Sequence, residues 1–226
     1  MTEPALAAAL VLHDFGAEGG APWRAALCAA GWPGEVEAPD LPGHGRRPAP
    51  LDGNYEYTDA AWFGVRVLHE GHFERPPVVI GVGDTGWSAH VLALGQRVGA
   101  LVLVDGLGGP WQTPEEWVDA QRRWIRSVAD DAEAVAPAPP GRPDPRLGHG
   151  VLPMGSRDLA ERAAASLTVP VLVIQTPAAT VDVADHRHHF PAGTVFECTA
   201  ERRPDLIAPI IVEWASALST RLSAGT

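Results

Sequence analysis

Val78-Val79-Ile80-Gly81-Val82-Gly83-Asp84-Thr85-Gly86-Trp87 begins with β-branched residues and passes into three closely spaced glycines. Side chains branched at Cβ are stiff and pack well on a pleated surface, so residues 78–82 predict a strand. The glycines permit a tight turn, and helical spacing follows over residues 87–98. Leu101-Val102-Leu103-Val104 is then a second strand, apolar on both faces. Strand, turn, helix and a further fully apolar strand make a βαβ unit, which needs a parallel sheet covered on both sides.

The alternation continues outward in both directions. Upstream, residues 5–13 predict a buried strand, 22–31 a helix with Trp23, Leu27 and Ala30 on one face, and 35–41 a short strand. Residues 57–70 predict a helix carrying Trp62, Val65 and Leu68 on one side. Downstream, 169–174 and 195–198 read as strands, and 207–222 as a closing amphipathic helix. The expected fold class is α/β, a three-layer sandwich around a mostly parallel sheet of about six strands.

One insertion interrupts the pattern, over residues 107–166. Its helix, expected over 113–136, has Thr113 as N-cap, Pro114 at N1 and Glu116 at N3, the signature of a capping box. Residues 136–146 are rich in proline and cannot be helix or central strand. The insertion reads as a short helical lid on a single domain spanning residues 1–226.

Composition narrows the function classes. At 226 residues and 46% hydrophobic, the chain suits one α/β domain. It contains no apolar run of about 20 residues, so no membrane span is expected. A net charge of −11 argues against nucleic acid or an anionic lipid surface as the main partner, and the expected partner is a small-molecule substrate or ligand. All 17 basic residues are arginine, which excludes a lysine Schiff base. Cys28 and Cys198 are too far apart in sequence for a disulfide framework or a metal spacing. They read as reduced thiols of a cytoplasmic protein, with no cofactor and no metal. Residues 1–12 lack a basic region and a cleavage site, and are read as a buried strand rather than a signal peptide.

Several segments resemble the α/β-hydrolases. Leu12-His13-Asp14-Phe15-Gly16 is similar to the His-Gly turn after that family's third strand, and Asp40-Leu41-Pro42-Gly43-His44-Gly45 resembles its next strand-exit loop. Residues 169–174 resemble the strand before the family's catalytic acid, and 203–208 the start of its last helix. The resemblance spans nearly the whole chain. It implies a strained nucleophile elbow at 80–90, an oxyanion hole built from the N–H groups of Phe15 and Thr85, and a structural role for His44.

The elbow departs from the family pattern. One register puts Asp84 in the nucleophile position, a second puts Gly83 there, and a third uses Ser88. An aspartate there is similar to haloalkane dehalogenases and epoxide hydrolases, which also need a histidine to activate water. Where the resemblance places that histidine the chain reads Thr199-Ala200-Glu201-Arg202-Arg203-Pro204, so Glu201 or Arg202 holds the place. The acid loop after Ile174 carries alanines where the acid is expected, with Asp182 several residues late. His149, in Leu147-Gly148-His149-Gly150, is the candidate substitute base.

A competing pattern exists. Gly81, Gly83 and Gly86 form a G-x-G-x-x-G, and Asp105 ends the next strand like a ribose-binding acid. Two strand–helix units precede it and an insertion follows, which is the wrong context for a dinucleotide fold. Asp185-His186-Arg187-His188-His189 resembles a metal tract but reads as a solvated helix end, and His69 and His72 likewise. Trp117 and Trp124 read as packing residues. The site is therefore expected to comprise Asp84 and His149 as catalytic groups, with His13, Asp14, Phe15, Thr85, Trp87, Trp111 and Glu201 around them. The expected function is proton-transfer chemistry on a small-molecule or natural-product intermediate, of epimerase, lyase or cyclase type. The alternatives are a ligand- or partner-binding pseudoenzyme and a hydrolase attacking through Asp84.

Overall fold

The computed structural model describes residues 8–17, 19–50, 55–71, 73–106, 112–130, 144–152, 155–179 and 183–224. Trp111, His72, Asp182 and most of the Pro-rich stretch, all singled out in the sequence, lie outside the described residues.

Six strands form one parallel sheet: β1 (Ala9–Leu12), β2 (Val36–Glu37), β3 (Val78–Val82), β4 (Ala100–Val104), β5 (Val171–Gln175) and β6 (Thr194–Glu197). Their spatial order is β2-β1-β3-β4-β5-β6. The order fits the apolar pattern. β1, β3 and β4 are buried throughout, whereas β2 and β6 form the edges. β2 is shorter than the expected 35–41, because Pro39 offers no N–H to a ladder and the chain turns away.

Alternate residues of the strands supply two cores. Val11, Ile80, Val82, Val102, Val104 and Ile174 pack with Trp23 and Leu27 of α1 (Ala21–Ala29) and with Ile207 and Ile211 of α7 (Pro204–Ala224). Leu10, Leu12, Val79, Leu101, Leu103 and Val173 pack on the opposite face. There they meet Phe63 of α2 (Tyr57–Glu70), Leu92 of α3 (Gly86–Gly95), and Phe190 beyond α6 (Val183–His189). Period-two alternation thus sends each strand's neighbouring side chains into different layers.

The 107–166 insertion falls between β4 and β5, and its described parts are α4 (Pro114–Ala129), a 3₁₀ turn at Pro145–His149 and α5 (Arg157–Ala165). The expected capping box is present: Glu116 N–H donates to Thr113 Oγ1 at 3.3 Å, and Thr113 N–H to Glu116 Oε2 at 2.9 Å. Trp124 is buried and donates its indole N–H to Gly150 O at 3.1 Å. The turn is tied down by Tyr55, whose hydroxyl donates to Asp144 Oδ2 at 2.9 Å, and by Arg146, which forks onto the same carboxylate. No helix among the described residues is long and apolar enough to cross a membrane.

β1 connects outward to β2, while β3 lies on its other side. The strand order therefore reverses between β1 and β3. In an open parallel sheet the crevice at such a reversal lies at the carboxyl ends of the strands and is where ligands bind. Residues 13–16 and 83–86 flank it.

Candidate functional site

At the end of β3 the backbone turns sharply. Gly83 has φ +57°, in the left-handed region that a side chain resists. Gly81 sits against Ala89 Cβ and Gly86 Cα, so a side chain there would prise α3 off the strand. Thr85 is fully buried and latches the turn: its Oγ1 accepts from Val82 N–H at 2.9 Å and lies 2.7 Å from Leu12 O as donor. The tip of the turn is therefore Gly83. The register that puts Asp84 at the tip is one residue off, because the positive φ falls on the residue without a Cβ. Ser88 is buried within α3 and donates to Tyr57 O at 2.6 Å, which removes the third register.

A Cβ on Gly83 would land on the Asp14 carboxylate. Asp14 leaves β1 and fills the space where a side chain at the tip would project. Its Oδ1 accepts from Asp84 N–H at 3.0 Å, and the carboxylate also accepts from Phe15 N–H. Its Oδ2 pairs with Arg202 Nη2 at 2.8 Å. Burial pushes the Asp14 carboxyl up to about 6; Arg202 pulls it down, the Asp84 charge pushes it up, and the two N–H donors pull it down.

Arg202 also approaches a second carboxylate, with Nε 3.9 Å from Asp105 Oδ2. Asp105 ends β4 with φ +53°, a conformation that costs a non-glycine residue on the order of 1–3 kcal/mol. Its carboxylate is held by Thr176, which donates from its N–H and from its hydroxyl, each at 2.6 Å. Asp84 reaches solvent, yet the protein around it pushes its carboxyl above the usual range, with Arg202 opposing. Tyr57 completes the group. Burial raises its phenol, and the charges of Asp84 and Asp14 raise it further. A cleft of about 420 Å³ opens beside Asp14 and Arg202, with Phe15, Trp23 and Pro204 in its walls.

Neither a protein-family model nor a curated protein sequence matches the chain. Solved structures do. The thioesterase domain of the curacin biosynthetic pathway is 15% identical and superposes with a TM-score of 0.65, over 99% of this chain and 93% of that one. MenH from S. aureus is 13% identical at TM-score 0.66, over 99% and 95%. A monoacylglycerol lipase from Paleococcus ferrophilus is 20% identical at 0.62, over 93% and 94%. The chain has the α/β-hydrolase fold.

Within this α/β-hydrolase fold several expected site residues take other positions. His13 is fully buried. Its Nδ1–H donates to Asp14 O at 2.9 Å and its Nε2 accepts from Leu41 N–H at 3.0 Å, so it ties two strand-exit loops together. His44 does the same through Gly16 N–H, at 2.9 Å. The N–H beside the tip belongs to Asp84, not Thr85. Trp87 is buried in α3, edge-on to His90. Glu201 is exposed, and the side chain that reaches the site from its loop is Arg202. His149 ends the 3₁₀ turn, whose Leu147 packs in the same cluster as Phe15 and Tyr57. The charge acting on Asp84 is that of Arg202.

The reading of 185–189 as a solvated helix end is corrected for two of its histidines. His186 and His189 are buried in α6, where His189 meets His90 and Phe190 ring to ring, while Arg187 and His188 face solvent. Among the described residues no His, Cys, Asp or Glu group is arranged to hold a metal. Sequence reasoning missed Tyr57 as a neighbour of the two carboxylates, and nothing in its helical pattern signals that role.

Proposed function

We propose that this chain binds a small molecule at the β1–β3 crevice without hydrolysing it through a covalent intermediate. One observation carries the reading: the Asp14 carboxylate occupies both the space above Gly83 and the N–H groups of Phe15 and Asp84. Acyl transfer of the serine type needs a nucleophile, a base to take its proton and free donors for the oxyanion. Gly83 offers no nucleophile. Arg202 stands where the resemblance places the base, and a guanidinium does not accept a proton at ordinary pH. The donors that would receive an oxyanion already hold a carboxylate. Asp84, the candidate nucleophile of a dehalogenase-like mechanism, lies one residue past the tip.

Hydrolysis of a panel of nitrophenyl esters tests this. The wild-type protein is expected to show no turnover above the buffer rate. The triple variant Gly83→Ser/Asp14→Gly/Arg202→His is expected to gain esterase activity, since a histidine at 202 would lie between Asp105 and the tip. Wild-type turnover that disappears in Asp84→Asn would instead establish the Asp84-nucleophile reading.

A second reading is favoured by a specific observation. A carboxyl pushed up to about 6 is matched to proton transfer near neutral pH, which supports Asp14 as the acid–base group of an epimerase- or lyase-type reaction. Deuterium uptake by enolisable carbonyl compounds in D₂O distinguishes the two. Uptake abolished in Asp14→Asn supports proton transfer, and no uptake supports binding alone.

A further inference from the structure

A second site lies away from the crevice, on α2. Asp59, Trp62, Phe63 and Arg66 fall at helical spacing on one face of this helix, and the loop 42–50 runs alongside to close a groove of about 380 Å³. Two guanidinium groups converge there on one ring. Arg47 Cζ lies 4.2 Å from the Phe63 centroid and Arg66 Cζ 5.1 Å from it. Phe63 is buried, whereas the neighbouring Trp62 is 71% exposed.

Among the described residues, the charges in this groove have few close partners. Arg47 makes no ion pair among the described residues; burial, and after it repulsion from Arg66, lower its pKa. Among the described residues Arg66 pairs with Glu70, at 3.8 Å and with both side chains exposed, a contact of small worth. Asp59 lies at the groove but is engaged at the helix start, where its Oδ2 accepts from Glu56 N–H at 2.9 Å. A molecule with a net charge of −11 thus brings two cations together beside an exposed indole. Two planar forks can share one phosphate or carboxylate group. An indole face offers stacking to a flat ring.

We propose that this groove binds a small aryl anion, with its anionic group between Arg47 and Arg66 and its ring over Trp62. Asp59 at the helix start disfavours the opposite orientation by charge repulsion. The site is separate from the Asp14–Arg202 pair, so Asp14→Asn leaves its affinity unchanged.

Calorimetric titration with phenyl phosphate, inorganic phosphate and benzyl alcohol tests the proposal. Phenyl phosphate is expected to saturate the wild-type protein, with inorganic phosphate at least about tenfold weaker and benzyl alcohol silent. Arg47→Gln and Arg66→Gln are each expected to weaken phenyl phosphate about tenfold or more. Trp62→Ala, a change on the surface, should leave the melting temperature in place and bring phenyl phosphate down to the level of inorganic phosphate. The proposal is overturned if phenyl phosphate fails to saturate at millimolar concentration. It is equally overturned if both arginine variants, folded by circular dichroism, bind as the wild type does.

Discussion

Asp14 has a carboxyl that titrates from an ordinary 3.8 up to about 6 because it is buried, despite Arg202 beside it. A folded-state value above the unfolded one means that the protonated form is favoured by folding. Its stabilising contribution is complete below about pH 3.8 and disappears as pH rises through about 6. At neutral pH the ionised Asp14 therefore costs about 2–3 kcal/mol. Asp14→Asn keeps an oxygen to accept from Asp84 N–H and carries no charge. The variant should overtake the wild type in urea midpoint as pH rises from 4 to 7, by an amount approaching that cost. Equal pH profiles for the two proteins would remove the buried-charge account. Gly83 gives a second prediction at this scale. Gly83→Ala combines a left-handed φ with a clash on Asp14. It should lower stability by about 2 kcal/mol or more, measured by thermal melting.

Among the elements, the β4–β5 insertion depends on polar anchors more than on apolar area. α4 has one buried residue, Trp124. The 3₁₀ turn is held by the Tyr55–Asp144–Arg146 group. Burial alone would raise the Asp144 carboxyl, but hydrogen bonds from Arg146 and Tyr55 outweigh it and hold the carboxyl below its usual range. Tyr55→Phe removes one donor from a buried carboxylate and should cost about 2 kcal/mol. Because the lost bond joins the turn to the body, amide exchange in residues 146–149 should quicken while β3 and β4 stay protected. Uniform acceleration across the sheet would show that Tyr55 supports the whole domain instead.

For the molecule as a whole, neutral histidines are built into the interior. Burial lowers His13 and His189 to about 4, and lowers His44 and His186 as well. A depressed histidine stabilises fully above its unfolded value of 6.5, and that contribution is lost as pH falls toward the folded value. Asp14 works in the opposite direction over part of the same range. Four lowered imidazoles against the raised carboxyls of Asp14 and Asp84 should leave a net loss of stability between pH 6.5 and 4.5. Chemical denaturation at the two pH values measures it, and a flat profile would contradict the burial of these rings.

The sequence by itself determined the strand and helix alternation, the parallel sheet and the Thr113 capping box, because these follow from neighbours within a turn or two of chain. Residues 57–70 and 78–82 form their expected helix and strand to the residue, since periodicity and β-branching act locally. The resemblance also carried His44 into its structural place. Which residue stands at the elbow tip was beyond the sequence, because Gly81, Gly83 and Gly86 all tolerate a turn and only the packing of α3 on β3 selects among them. Asp14 meets Asp84 across 70 residues of chain, and Arg202 is brought between Asp14 and Asp105 only when the carboxyl ends of β1, β3 and β4 line up. The histidines of 185–189 look solvated in a polar tract, yet α6 turns two of them inward, and His189 meets His90 of α3. Contacts of this range depend on how whole elements stack, and local patterns carry no record of it.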